Sequence, residues 1–272
     1  GGLDGANHTI ADLTIANETS DVVGVGLIGE ATGDIDIANL QMRDILVTNL
    51  NGDFNSFTGG LVGDLENGNV THVKLVGTVS GGADAVGGLI GHIDGDVTIS
   101  QVELNGTVND GAQRVGGLVG EVESGSLSLD GYRLNVSVSG DSGSGDGIGG
   151  VIGRGKDLNL NNGVIDVNVH AENPMTGGVI GFARGSSDAF INSTRLRGSV
   201  VGNGFVGGFV GKTETNIDIS NSTGNLTVIK DERGSGTGGD EGVGGFVGLQ
   251  SSGDLIITDS QLVISTLEFV QS

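Results

Sequence analysis

The chain of 272 residues contains no cysteine and no tryptophan, a single proline and only 3% aromatic residues. Without cysteine it has no disulfide, no thiolate nucleophile and no cysteine-based metal site. No apolar run approaches the roughly 18 residues that a membrane-spanning helix needs, so we expect no membrane insertion. Lys and Arg are also scarce, 12 against 34 Asp and Glu, and the formal charge of −22 makes nucleic acid a poor partner.

Glycine is abundant, with 55 residues. Collagen would need glycine at every third position and much proline, so it is excluded. The 36% of hydrophobic residues is too high for a disordered glycine-rich linker. Since this apolar content is mainly Val, Ile and Leu, the composition favours β structure.

A short glycine motif, typified by "VGGLIG" at 86–91, occurs eight times. The closing glycines are Gly29, Gly63, Gly91, Gly120, Gly153, Gly181, Gly211 and Gly248. They are separated by 34, 28, 29, 33, 28, 30 and 37 residues. Repetition at such a spacing is typical of stacked units that bury their apolar faces only against one another.

Each motif is followed by stretches in which apolar and polar residues alternate, such as "DVTI" at 96–99 and "VELNGTV" at 102–108. This alternation predicts strands with one buried face, and no segment has a sustained helical period. We therefore predict an all-β fold, a parallel β-solenoid of about eight coils of roughly 30 residues with three short strands each. The single domain 1–272 divides approximately into coils 1–22, 23–57, 58–85, 86–114, 115–147, 148–175, 176–205, 206–242 and 243–272.

Equivalent residues of successive coils should form inward-facing columns. The first column is Ile37, Ile99, Leu129, Leu160, Ile191, Ile219 and Ile257; the second is Leu104, Leu134, Ile165, Leu196 and Leu262; the third is Val108, Val138, Val169, Val200 and Val228. In the opening segment we expect Ile10 to match Ile99 and Ile15 to match Leu104.

The motif of two glycines, two apolar residues and a glycine, followed by a "GTV"-like strand, resembles the GLUG repeat. The segment "LDGANHTIADLTI" at 3–15 is similar to the one that precedes such repeats. The resemblance implies a surface or secreted protein of bacterial or archaeal type, adhesins included, and brings no catalytic residues. The chain departs from the pattern at Gly24-Val25-Gly26, where a glycine pair is usual, and at Thr58 and Thr176.

Residues 24–29 also match the G-x-G-x-x-G fingerprint of dinucleotide-binding proteins. That fingerprint opens a helix and occurs once in such a fold, whereas here it overlaps a repeat without helical pattern, so we exclude it. The histidines, His8, His72, His92 and His170, form no metal triad in the repeat frame; His72 alone is expected in an inward column. We predict that the chain is not an enzyme.

Two kinds of modification or ligand site are suggested by polar residues. Calcium could bind Asp141, Asp146, Asp240 and Glu241 in two glycine-rich loops, the alternative being solvated acidic loops and no cofactor. Glycosylation sequons occur at Asn7, Asn17, Asn69, Asn105, Asn135, Asn192, Asn221 and Asn225. Asn105, Asn135 and Asn225 share one outward slot, although asparagine-rich turns also create sequons by composition alone.

The two apolar residues inside each motif raise a conflict, because neighbours on a regular strand face opposite sides. One column is Leu27, Leu61, Leu89, Leu118, Val151, Val179, Phe209 and Phe246. If the strand is regular, this column is an exposed apolar interface covered by another chain or another part of this one. Alternatively, the flanking glycines bend the strand and both columns turn inward.

These patterns predict an extracellular or cell-surface β-solenoid without enzymatic activity. It would be an adhesin segment or a subunit of a surface fibre, associated with other copies, with adjoining segments of a longer protein or with glycans. The alternative is a carbohydrate-binding or carbohydrate-active β-helix that uses outward carboxylates on one flank.

Overall fold

The computed structural model describes residues 1–19, 21–50, 55–81, 84–110, 113–140, 147–172, 175–231 and 242–270. Within them all regular secondary structure is β, and every strand pairing is parallel. The strands wind into stacked coils with about 7 turns, close to the eight coils expected. The prediction of a parallel β-solenoid is confirmed.

The strands are arranged in most coils as three short ones followed by one longer one, with 3, 5, 4 and 8 residues in the coil at 85–110. In chain order they are β1 Gly2–Asp4, β2 Thr9–Ala11, β3 Thr14–Asn17, β4 Gly24–Val25, β5 Ile28–Asn49, β6 Phe57–Gly59, β7 Val62–Gly81, β8 Ala85–Gly87, β9 Ile90–Asp94, β10 Val97–Ser100, β11 Glu103–Asp110, β12 Arg114–Gly116, β13 Val119–Ser124, β14 Leu127–Asp130, β15 Arg133–Gly140, β16 Gly147–Gly149, β17 Ile152–Gly155, β18 Leu158–Asn161, β19 Val164–Ala171, β20 Met175–Gly177, β21 Ile180–Ala183, β22 Ala189–Asn192, β23 Arg195–Gly202, β24 Phe205–Gly207, β25 Val210–Thr213, β26 Ile217–Ser220, β27 Thr223–Asp231, β28 Gly242–Gly244, β29 Val247–Gln250, β30 Leu255–Thr258 and β31 Gln261–Val270.

One coil contains four strands rather than the predicted three, as β8 to β11 illustrate. The extra strand is a short segment that ends at the first glycine of the pair in β8 and its later copies, and together with β4 and β6 these strands form a separate eight-stranded sheet. The other strands form one continuous 23-stranded sheet that wraps round the coil. We call β11, β15, β19, β23, β27 and β31, with residues 41–49 of β5 and 73–81 of β7, the third strand row.

The register of the sheets confirms all three predicted inward columns. In the first column Val70 joins Ile37 to Ile99, and every member except Ile257 of the last described coil is completely buried. The expected register of the opening segment is wrong. Leu3 pairs with Ile37, so it takes the place that was assigned to Ile10, while Ile10 pairs with Met42 in the second column.

A left-handed residue turns the chain at the corner before the third strand row in every coil. The corner φ angles lie between 48° and 67° at Asn39, His72, Gln101, Gly131, Asn162, Ser193, Asn221 and Asp259. Asparagine and glycine adopt this conformation most readily. The expected inward position of His72 is therefore wrong: the side chain is exposed at the corner, where Nδ1 lies 3.0 Å from Thr71 Oγ1.

The two apolar residues of each motif lie at a bend. The backbone N–H groups of Leu61 and Val62 both donate to the carbonyl oxygen of Leu89 in the next coil, at 2.9 and 3.1 Å. In a regular parallel strand, successive N–H groups point to opposite neighbours. Because two adjacent groups here point the same way, the alternation is interrupted and both side chains face the interior. The same pairing recurs through Val210, whose acceptor is Phe246.

The glycine motif lets the two sheets approach closely. A Cβ on Gly88 would overlap the carbonyl oxygen of Gly117 and lie 2.8 Å from Leu104 Cδ1 and 3.1 Å from Val108 Cγ2. A Cβ on Gly91 would lie 2.6 Å from the backbone nitrogen of Thr58 in the eight-stranded sheet. These contacts leave no room for a side chain.

The prediction of an exposed apolar interface is therefore wrong, and the bend is the reason. Of its residues, Leu61, Leu89, Leu118, Val151, Val179 and Phe209 are at most 1% exposed, while Leu27 and Phe246 at the two ends are half-buried against the same core. The column belongs to the hydrophobic core of this chain.

Candidate functional site

The outer side of the third strand row carries every exposed Lys and Arg side chain of the described residues. These are Arg43, Lys74, Arg133, Arg195 and Arg197. The other described Lys and Arg side chains are half-buried or buried: Arg114, Arg154, Lys156, Arg184, Lys212 and Lys230. Exposed acids occur on the other rows as well, for example Asp36 and Glu123. We call the outer side of the third strand row the basic face.

An acidic side chain links two of these cations. Glu103 pairs in register with Lys74 on one side and Arg133 on the other. Lys74 Nζ lies 2.6 Å from Glu103 Oε2, and Arg133 Nε lies 3.7 Å from Glu103 Oε1. The three side chains are 54%, 63% and 44% exposed for Lys74, Arg133 and Glu103. Pairs this exposed contribute less than about 1 kcal/mol, so each cation can exchange partners at small cost.

Shallow grooves run along the basic face. One of about 420 Å³ is lined by Lys74, Gln101, Glu103, Arg133 and Asn162 among others. Lys74, Glu103 and Arg133 also line an adjoining groove of about 250 Å³. Further along, Arg195 and Arg197 line one of about 200 Å³. The grooves combine cationic groups with side-chain amides, which donate and accept hydrogen bonds.

Three sequon asparagines lie on the same face. Asn105, Asn135 and Asn225 are exposed, so the predicted outward slot is confirmed. Asn105 and Asn135 are register partners, and the Asn135 amide donates to the Asn105 carbonyl oxygen at 3.3 Å. Glycosylation itself stays a prediction.

The remaining sequons divide by exposure. The asparagines at positions 7, 69 and 221 are exposed. Asn17 and Asn192 are half-buried and belong to polar ladders: Asn17 donates to Asn49 at 2.9 Å, and Asn192 donates to Asn161 at 3.2 Å. These two side chains have structural partners in neighbouring coils.

A buried ion cluster lies between the two sheets, away from the basic face. Glu121, whose side chain is 1% exposed, accepts from Arg114 Nη1 and Arg154 Nε, both at 2.8 Å, and Arg184 Nη2 lies 3.4 Å away. Arg114 also contacts Asp84 at 2.6 Å. The carboxylate of Glu121 thus faces three guanidinium groups, and removing one partner of such a buried set leaves an uncompensated charge.

His92 continues this cluster into the neighbouring coils. Nδ1 lies 2.7 Å from Asp64, Nε2 lies 3.2 Å from Glu123, and the ring stacks on Phe57 with centroids 4.0 Å apart. Burial lowers the pKa of His92, but the hydrogen bond and charge of Asp64, the charge of Glu121 and the hydrogen bond to Glu123 together outweigh it. The pKa therefore lies above its ordinary value of 6.5.

The four acids predicted to bind calcium, Asp141, Asp146, Asp240 and Glu241, lie outside the described residues. Within the described ranges, no three His, Asp or Glu side chains are grouped as metal ligands would be. The described part of the chain also contains no helix with the length and apolar character required to cross a membrane.

The basic face was missed at the level of the sequence, where the Lys and Arg residues look scattered. Lys74, Arg133 and Arg195 are about 60 residues apart in the chain. The signal lay in the repeat frame: each of them directly precedes a member of the second inward column, at residues 75, 134 and 196. Adjacent strand residues face opposite sides, so a cation at this position must face outward.

Comparison with known proteins gives one informative similarity. No family model matches the chain, and no solved structure matches it significantly. A segment of the chain is 33% identical over 156 residues to halomucin of Haloquadratum walsbyi, covering 52% of this chain and 2% of halomucin. The GLUG resemblance is not tested by these comparisons. The β-solenoid fold and the similarity to halomucin fit a structural protein of the cell surface.

Proposed function

We propose that the chain is a non-enzymatic, extracellular β-solenoid, an adhesin segment or surface-fibre subunit of the GLUG-repeat type. It acts by holding side chains at a fixed spacing and by associating with copies, adjoining segments or glycans. The observation that carries the proposal is the register of the third strand row, which is continuous from residue 74 in β7 to β27. The pairings at the two ends, with β5 and with β31, each contain one register shift. Such a row repeats the same outward positions every ~4.8 Å.

The rigidity of the stack supports a role in spacing. Each coil is joined to the next by backbone ladders and by a continuous core of buried Val, Ile and Leu side chains. Stacked units of this kind are stabilised mainly by their neighbours, so the rod lengthens by adding coils without a new fold. About 7 turns give a rod of about 34 Å.

Labelling of intact cells tests the location. Antibodies raised against the purified chain, detected with gold particles by electron microscopy, should decorate the outside of unpermeabilised cells of the source organism. An antibody against a cytoplasmic protein serves as the control and should label only sectioned cells. Label confined to the cell interior would overturn the proposal.

The alternative, a carbohydrate-active solenoid, is tested separately. The purified chain is incubated with neutral and acidic polysaccharides, and new reducing ends and unsaturated sugars are measured. We expect none above a heat-unfolded control. Product formation that disappears on replacement of outward carboxylates would replace the non-enzymatic proposal with the catalytic one.

A further inference from the structure

The exposed Lys and Arg side chains are unevenly distributed over the outer surface, which the net charge does not show. The chain carries −22, yet the exposed cations of the described residues all lie on the basic face. If the exposed cations were placed at random, they would occur on all sides of the rod. The third strand row also exposes Asp44, Asp166 and Glu268, so its charge is close to neutral, whereas the rest of the outer surface is acidic. A negatively charged partner would therefore meet the least repulsion on this row.

The spacing of the cations indicates how far apart the negative charges of the partner should be. Lys74, Arg133 and Arg195 occupy the same register position in alternate coils, with Glu103 and Val164 between them. Two coils rise by about 9.6 Å. This is close to the length of one disaccharide in an extended β-linked polysaccharide, so a glycan with one acidic group per disaccharide would meet one cation per repeat.

The groups between the cations also suit a glycan. Gln101 and Asn162 line the large groove beside Lys74 and Arg133, and Asn135 lines the adjoining one. Side-chain amides donate and accept hydrogen bonds, as sugar hydroxyls require. Protein partners are usually anchored by side chains buried in desolvated pockets, whereas these grooves are open to solvent and lined by both polar and apolar groups.

Nucleic acid fits less well. Duplex DNA carries about one charge per 1.7 Å of helix axis, far denser than one cation per two coils. The surrounding acids would repel such a dense polyanion more strongly than a sparsely charged glycan.

We propose that the basic face binds an extended acidic polysaccharide along the solenoid axis, with Lys74, Arg133 and Arg195 each contacting an acidic group of successive disaccharides. The physiological meaning of this binding rests on the surface location proposed above. The binding itself is a property of the purified chain and is tested without reference to that location.

The experiment measures binding of the purified chain to immobilised hyaluronan, which has one carboxylate per disaccharide, and to neutral dextran. The variants are Arg133→Gln, Arg195→Gln and the triple variant with Lys74→Gln. Lys156→Gln is the matched control, because it removes one positive charge from a half-buried side chain outside the basic face. Circular dichroism verifies that each variant is folded, as expected for exposed positions.

Each single change should weaken hyaluronan binding about two- to fivefold, the size of an exposed ion-pair contact. The triple variant should lose about tenfold to a hundredfold, provided that the separated sites act independently. Lys156→Gln should bind like the unmodified chain, and dextran should not bind.

A change of opposite sign gives the sharpest test. Glu103 competes with the ligand for Lys74 and Arg133, so Glu103→Gln should strengthen hyaluronan binding about two- to fivefold. Unchanged binding in the triple variant, equal weakening by Lys156→Gln, or equal binding of dextran would each overturn the proposal. So would self-association, measured by sedimentation velocity, that the triple variant abolishes while hyaluronan is not bound; the partner would then be a second copy.

Discussion

Replacing Glu121 tests whether the buried ion cluster stabilises the fold. The Glu121→Gln variant keeps the shape of the side chain and one acceptor oxygen but removes the negative charge. The side chain is 1% exposed and receives two 2.8 Å hydrogen bonds, from Arg114 and Arg154, whose side chains are 13% and 12% exposed. The variant leaves these guanidinium groups facing an amide that also carries donors.

The magnitude follows from this geometry. Hydrogen bonds to charged groups contribute about 1.5–3 kcal/mol each, and breaking a buried ion pair costs about 3–5 kcal/mol. Because the amide retains one acceptor, we expect the free energy of unfolding to fall by about 3 kcal/mol. This is a large fraction of the roughly 5–15 kcal/mol that stabilises a typical domain.

The assay is urea unfolding followed by far-ultraviolet circular dichroism, at low salt and at 1 M NaCl. The matched control is Glu123→Gln, because this side chain is 57% exposed and contacts only His92 among the described ion pairs. We expect the control to change stability by less than about 1 kcal/mol. The effect of Glu121→Gln should persist in 1 M salt, where the Debye length is about 3 Å, since salt screens buried pairs poorly.

A loss of less than about 1 kcal/mol at Glu121, or a loss that vanishes in 1 M salt, would refute the reasoning. Either result would mean that the carboxylate is hydrated and that the guanidinium groups find other partners at no cost.

Three further predictions concern packing and protonation. Gly88→Ala should destabilise the chain by several kcal/mol in the same urea assay, because its Cβ would overlap the carbonyl of Gly117. Gly1→Ala, whose Cβ would meet nothing within 4 Å, should be nearly neutral. Leu118→Ala should cost about 2–5 kcal/mol without changing the mass measured by sedimentation; a lost oligomer would instead restore the interface interpretation. The pKa of His92 is raised in the folded chain, so its protonation stabilises the fold below about pH 6.5. This stability is lost as the pH rises through the folded-state pKa. A His92→Gln variant should not show this pH dependence in urea titrations.

The inward columns were predictable because they depend on alternation within single strands. The register repeats every coil, so Leu104, Leu134 and Ile165 align once the glycine motif is recognised. The second column has one gap at the level of the sequence, between Leu196 and Leu262. The structure places Gly224 there, with Leu262 and Phe209 filling the space where its side chain would be. Because residues of other strands fill the space beside Gly224, the repeat pattern of the sequence does not reveal this position.

From the sequence the bend was one of two alternatives, and the fourth strand was not predicted. A strand of three residues, such as β8, is too short to show alternation. The direction of the side chains of Leu89 and Ile90 depends on two adjacent N–H groups that share one acceptor in the next coil, a backbone property that residue types do not specify. The ion cluster was only partly foreseeable, because Glu121 and Arg154 share a repeat position while Arg114 reaches them from the other sheet.

The shared carbonyl acceptor at each bend has a consequence for how such a chain can evolve. The coils differ in length by as much as nine residues, from 28 to 37, yet the residue at each bend pairs with its equivalent in the next coil. An insertion ahead of a glycine motif therefore changes one coil without shifting the partners of the next. A change in the length of one coil leaves the strand pairing of the other coils unaltered. Individual coils can diversify, duplicate or be lost while the surface of the remaining coils is kept.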